Sequence, residues 1–191
     1  MLKPFGQILA ADPIWRGFPL YNCEAGTSRQ RTLRNHYAGI ESITLSQSVS
    51  ETVREQFDAA RNLFLYSWFV YAFIPIAQLH AFSPIEYAIR IKSGNPLMLR
   101  AGLELAIKEQ WIKDGGFRYY DINVHQDMLG DDMPPVSSPA AKDIQSYCKI
   151  LLDSLPDLRN ELAHGNPMTY PGGLDVFAIC ADLINQLFEL P

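Results

Sequence analysis

Charge is scarce in this chain of 191 residues. Only 19% of them are Asp, Glu, Lys or Arg against 48% apolar, which excludes a disordered or low-complexity chain and points to one packed globular domain with or without an extension. Cysteine is scarcer still. Cys23, Cys148 and Cys180 show no CxxC spacing and no neighbouring His pair, so neither a disulfide framework nor a zinc site is expected, and a reducing cytoplasm suits the composition best. There is no positive excess either: 16 Lys plus Arg stand against 21 Asp plus Glu, a net charge of −5. No long-range field draws in nucleic acid, so any such contact has to be local. A Ser-His-Asp order, a phosphate-cradling glycine loop and a paired-His metal spacing are all missing, and neither metal nor cofactor is expected.

The N-terminal MLKPFGQILAADPIW is too broken to act as a signal sequence. Residues 62–85, NLFLYSWFVYAFIPIAQLHAFSPI, carry no Asp, Glu, Lys or Arg and are long enough to span a bilayer. Ser67, Pro75, Gln78, His80 and Ser83-Pro84 interrupt them, and Trp68, Phe69, Tyr71 and Phe73 lie mid-segment rather than in belts at the ends. A core helix is therefore expected, with no membrane association, with His80 as a core histidine and with Phe69 and Ile76 buried.

Residues 1–47 are rich in glycine and proline and read as an irregular N-terminal extension, with a short strand expected over 40–46, IESITLS. Residues 48–191 read as a helical domain. A capping box at Ser48 and Glu51 opens a helix over 51–81 that Pro75 kinks. Ser83-Pro84-Ile85-Glu86 is a cap-then-proline start for a second helix over 84–93, ended by Gly94. Further helices are expected over 97–112, 139–153, 156–164 and 173–189, with a long loop over 114–138. The fold class is all-α, a bundle of about five to six helices.

The segment 158–165, Leu-Arg-Asn-Glu-Leu-Ala-His-Gly, stands apart. Four Arg-to-His pairs in the chain have four to six intervening residues: Arg29 to His36, Arg31 to His36, Arg118 to His125, and Arg159 to His164. Only the last combines Asn after Arg, a helical setting, a terminating glycine and flanking Leu158 and Leu162. With this motif, Arg159-Asn160-x3-His164, residues 51–189 resemble the HEPN superfamily of helical-bundle proteins, and the acidic start at Glu86 is similar to a second-helix feature of several such families.

The resemblance implies a HEPN-like bundle and a metal-independent endoribonuclease, from a host-defence or toxin setting. Arg159, Asn160 and His164 would be catalytic, and Glu86 would support them. Its partners would be an RNA substrate, a second copy of the chain and an antitoxin or other protein. Non-catalytic binding of a nucleotide, RNA or protein partner is the alternative it carries. From helix geometry alone, Asn160 and His164 share a face, whereas Arg159 lies about 140° from His164. Either the arginine wraps around the helix or two copies of the motif meet across a dimer. The competing reading pairs Arg159 with Glu161 or Asp157 and makes His164 a helix cap. Lys3, Arg29, Arg31 and Arg34, with His36 and Tyr37, form a second candidate for a local phosphate-binding face.

Overall fold

The computed structural model describes residues 2–22, 26–120, 146–165 and 173–189. Among these the chain is an all-α bundle with one small hairpin. Strands β1 (Leu20–Asn22) and β2 (Thr27–Arg29) pair antiparallel, and six α-helices follow: α1 (Leu33–Glu41), α2 (Glu51–Tyr66), α3 (Phe73–Ser93), α4 (Leu99–Lys108), α5 (Tyr147–Ala163) and α6 (Leu174–Phe188). The centre is formed by α3 and α6, which bury side chains around most of their circumference; α2 and α5 pack against α3, and α4 lies against α3 and α5. Small residues let α3 and α6 fill the middle, including Ala77, Ala81 and Ala88 on the one and Ala178 and Ala181 on the other.

The expected helix over 51–81 is two helices. It breaks after Tyr66, where the buried Ser67 hydroxyl donates to the Phe64 carbonyl at 2.6 Å. The N-terminal arm satisfies the polar groups exposed by the break. Asp12 donates its amide to the Trp68 carbonyl at 2.8 Å and accepts from the Tyr71 amide at 3.0 Å, and the Trp15 indole N–H donates to the Ser67 carbonyl at 3.1 Å. Trp15 stacks with Trp68 and meets His36 and Tyr71 edge-on, so the arm contributes Trp15 to the core while Pro13 and Ile14 stay exposed. No described helix is long and apolar enough to cross a membrane.

Pro75 does not kink a helix. It sits in the first turn of α3, where its missing N–H would have had no helical acceptor. Pro84, expected to open a new helix, lies inside α3, and Pro156, expected to divide 139–153 from 156–164, lies inside α5. Each leaves one carbonyl, of His80 and of Leu152, without its donor four residues on, and tertiary packing absorbs that loss because Pro84 and Pro156 are both buried. Residues 139–145 and 121–138 lie outside the described residues.

No strand forms over 40–46. Ile40 and Ile43 are buried from the last turn of α1 and the turn after it, a spacing of three that belongs to a helix end rather than to the two-residue period of a strand. The capping box is also elsewhere. It joins Thr32 and Asn35 at the start of α1, while Ser48 bonds Ser46 and α2 begins after Ser50. The stops were legible: Gly94 and Gly165 both take the left-handed conformation, at φ 72° and 77°.

Candidate functional site

Arg159 lies on α5 with its side chain turned toward α3. The i, i+3 and i+4 spacing places Ile76, Leu79, His80, Ser83 and Glu86 on one stripe of α3, and this stripe and Arg159 line a solvent-open cavity of about 370 Å³ with Leu63 and Ala163. Across it, Arg159 Nε stands 3.6 Å from Glu86 Oε1, an ion pair with a side-chain exposure of 32% on the arginine and 29% on the glutamate. That distance is too long for a hydrogen bond, and Glu86 Oε1 is buried without a hydrogen-bond partner. The pair places the Nε side of the guanidinium toward Glu86. No hydrogen bond from its terminal nitrogens to a protein group is formed among the described residues.

His164 does not line this cavity. It is the C-cap residue of α5, exposed, with its amide donating to the carbonyls of Asn160 and Leu162. Asn160 is exposed as well. Of the four expected site residues the fold therefore brings Arg159 and Glu86 together, and leaves Asn160 and His164 on the outer surface of the same helix end. Among the described residues Asp157 is not the partner of Arg159. Asp157 instead meets Arg100 of α4 at 3.3 Å.

His80 is the cavity residue that sequence reasoning assigned elsewhere. It is half-buried at the cavity wall, not enclosed in the core. Its spacing from Ser83 and Glu86 is the available signal, hidden because Pro84 reads in sequence as the start of a new helix. The other Arg-to-His spacings are committed to structure. Arg118 grips Asp182 of α6 through Nε and Nη2, the latter at 2.7 Å, and its amide also donates to that carboxylate. This hydrogen bonding outweighs burial and raises the Arg118 pKa. Arg31 lies over the Trp15 ring at 5.6 Å, with burial lowering its pKa, and Arg29 is in β2.

The proposed basic face around residues 29–37 is not assembled. His36 is 1% exposed and stacked on Phe64, its Nε2–H donating to the Phe64 carbonyl at 2.9 Å, while Lys3 donates to the carbonyls of Ala10 and Phe69. Among the described residues no group of His, Cys, Asp and Glu could hold a metal ion. Cys148 and Cys180 are free and buried, and burial pushes the Cys148 thiol up to about 12, which makes it a poor nucleophile.

The class these observations define is an all-α bundle with a cavity between α3 and α5 that carries the Arg159–Glu86 pair on a largely apolar wall. No protein-family model, curated protein or solved structure matches the chain.

Proposed function

We propose that this chain is a metal-independent endoribonuclease of the HEPN type. The observation that carries the reading is the setting of Arg159, paired with Glu86 at a solvent-open cavity, its terminal nitrogens bonded to no acceptor among the described residues, five residues before an exposed His164 at the same helix end. In the reaction the 2′-oxygen of a ribose attacks the adjacent phosphorus and the bond to the 5′-oxygen breaks. His164 takes or returns the proton that passes from the 2′-hydroxyl to the leaving 5′-oxygen, leaving a 2′,3′-cyclic phosphate. Arg159 stabilises charge on the phosphoryl oxygens, Asn160 orients the phosphate, and Glu86 positions Arg159.

Because His164 lies outside the cavity that holds Arg159, one chain does not bring the two onto one phosphate. A second copy with its α5 end facing the first supplies the missing partner, and the active species is a twofold homodimer. The same divergence favours the second reading, a non-catalytic module that binds a nucleotide, RNA or a protein partner. A host-defence or toxin role and a cytoplasmic location accompany the nuclease reading.

The test is RNA cleavage by the purified chain in EDTA, with light scattering for its oligomeric state. Arg159→Ala and His164→Ala each abolish cleavage, and the double variant is no worse than either single one, since groups acting as a unit are non-additive. Robust cleavage by the double variant, or full activity of a monomer, overturns the assignment.

A further inference from the structure

The Arg159 cavity contains two polar side chains that the Arg-His reading does not use. His80 and Ser83 lie one turn apart on α3 and face the same space as Arg159. Ser83 is exposed, and neither side chain makes a hydrogen bond to the protein among the described residues. An imidazole, a hydroxyl and the free edge of a guanidinium together offer donors to a tetrahedral oxyanion, and the planar fork of arginine matches two phosphate oxygens at once. The remaining wall is apolar, formed by Leu63, Ile76 and Leu79, and suits the face of a nucleobase.

A neighbouring cavity adjoins it. This second one, of about 360 Å³, shares Ser83 and Glu86 with the first and reaches Arg90, exposed one turn further along α3. One turn of four residues advances about 6 Å, so the second cation follows the first along the helix axis. Glu86, the carboxylate between them, is already turned to Arg159. A ligand that carried a single phosphate would use the first cavity only; the two in series fit a strand.

We propose that this groove is a phosphate-ester subsite in which Arg159, His80 and Ser83 hold one phosphate of an RNA strand and Arg90 holds the next. The proposal rests on the site chosen for the nuclease reading, and adds His80, Ser83 and Arg90 as binding residues and a strand as the ligand.

The test uses the full chain carrying His164→Ala, so that RNA is not cut, with a fluorescein-labelled 12-nucleotide RNA in EDTA and fluorescence anisotropy as the readout. His80→Gln, Arg90→Gln and Arg159→Gln each weaken binding roughly tenfold or more, as expected for hydrogen bonds to a charged group. Arg90→Gln and Arg159→Gln also each reduce the slope of log affinity against log salt by about 0.7, one phosphate contact to a single strand. Arg100→Gln, an exposed arginine outside the groove, is the control and changes neither quantity.

Ser83→Ala, at an exposed position, gives a variant that cannot fail through packing; it weakens binding in the same direction. Adenosine 5′-monophosphate and inorganic phosphate compete weakly if the ligand is a strand. Competition by the mononucleotide at the RNA's own concentration overturns the strand and leaves a nucleotide site. Wild-type affinity in both His80→Gln and Ser83→Ala, or equal losses in Arg100→Gln and Arg90→Gln, overturns the subsite. Binding that depends on His80 in a protein that never cleaves RNA supports the subsite and removes the nuclease reading; cleavage unaffected by His80→Gln does the reverse.

Discussion

Replacing Arg159 by alanine separates the stability of the site from its chemistry. Arg159 and Glu86 are 3.6 Å apart and each about one-third exposed. An exposed ion pair contributes about 0.2–1 kcal/mol, whereas removing one partner of a fully buried pair costs about 3–5 kcal/mol. This pair lies nearer the exposed limit, and solvent screens it, but Glu86 Oε1 itself is buried and has no other partner. Arg159→Ala is therefore expected to cost about 1–2 kcal/mol, between the two limits. In a domain of this size that is a fall in Tm of roughly 2–8 °C. Glu86→Gln removes the charge that needs compensation and costs less. The double variant recovers part of the Arg159→Ala loss, with a coupling of about 1 kcal/mol measured by urea unfolding of all four proteins. Part of the coupling disappears in 1 M salt, since a pair about one-third exposed is screened. Strictly additive losses refute the pairing as the reason Arg159 is held, and a Tm drop far above 8 °C refutes its placement at the rim.

Three further outcomes follow from the packing. Burial pushes the His36 pKa below its ordinary 6.5, against a smaller opposing effect from the Phe64 carbonyl, so below that value the unfolded state binds protons the folded state refuses. Stability is complete above pH 6.5 and falls as pH drops below it, by at most about 1.4 kcal/mol per unit until the folded-state value is passed; His36→Gln removes this slope, and an unchanged slope in urea titrations contradicts the placement. Trp15→Ala costs about 3–5 kcal/mol in urea unfolding, because a residue 2% exposed at the break between α2 and α3 leaves both a cavity and an unsatisfied Ser67 carbonyl; a loss under 1 kcal/mol would show the arm to be dispensable. Ile76→Glu is tolerated within about 1 kcal/mol while Ile74→Glu, two residues away, prevents stable folding, since Ile76 is 52% exposed and Ile74 fully buried; comparable Tm values for the two would refute this orientation of α3.

Much of the helical plan was readable along the chain. Gly94 and Gly165 end α3 and α5 because only glycine takes a left-handed cap without strain, and the apolar spacing of Phe177, Ala178, Ala181 and Ile184 marks α6 before any neighbour is known. The Arg159 to His164 segment stood out from three other pairs of similar spacing by its local setting, and the divergence of the two side chains followed from 3.6 residues per turn.

Tertiary structure decided what local rules leave open or answer wrongly. Pro84 and Pro156 read as helix boundaries because each removes a donor, yet both stay inside helices once burial of the surrounding face outweighs one lost hydrogen bond. The break after Tyr66 carries no proline; it exists because Asp12 and Trp15, more than fifty residues away in sequence, satisfy the backbone that it frees. The same distance in sequence hid the partner of Arg159. Glu86 is 73 positions earlier, and only the packing of α5 on α3 sets the two 3.6 Å apart and turns His80 toward them. Periodicity is a property of neighbours along the chain and is legible there; a cavity is made by side chains from separate elements, and its membership is set by how those elements pack.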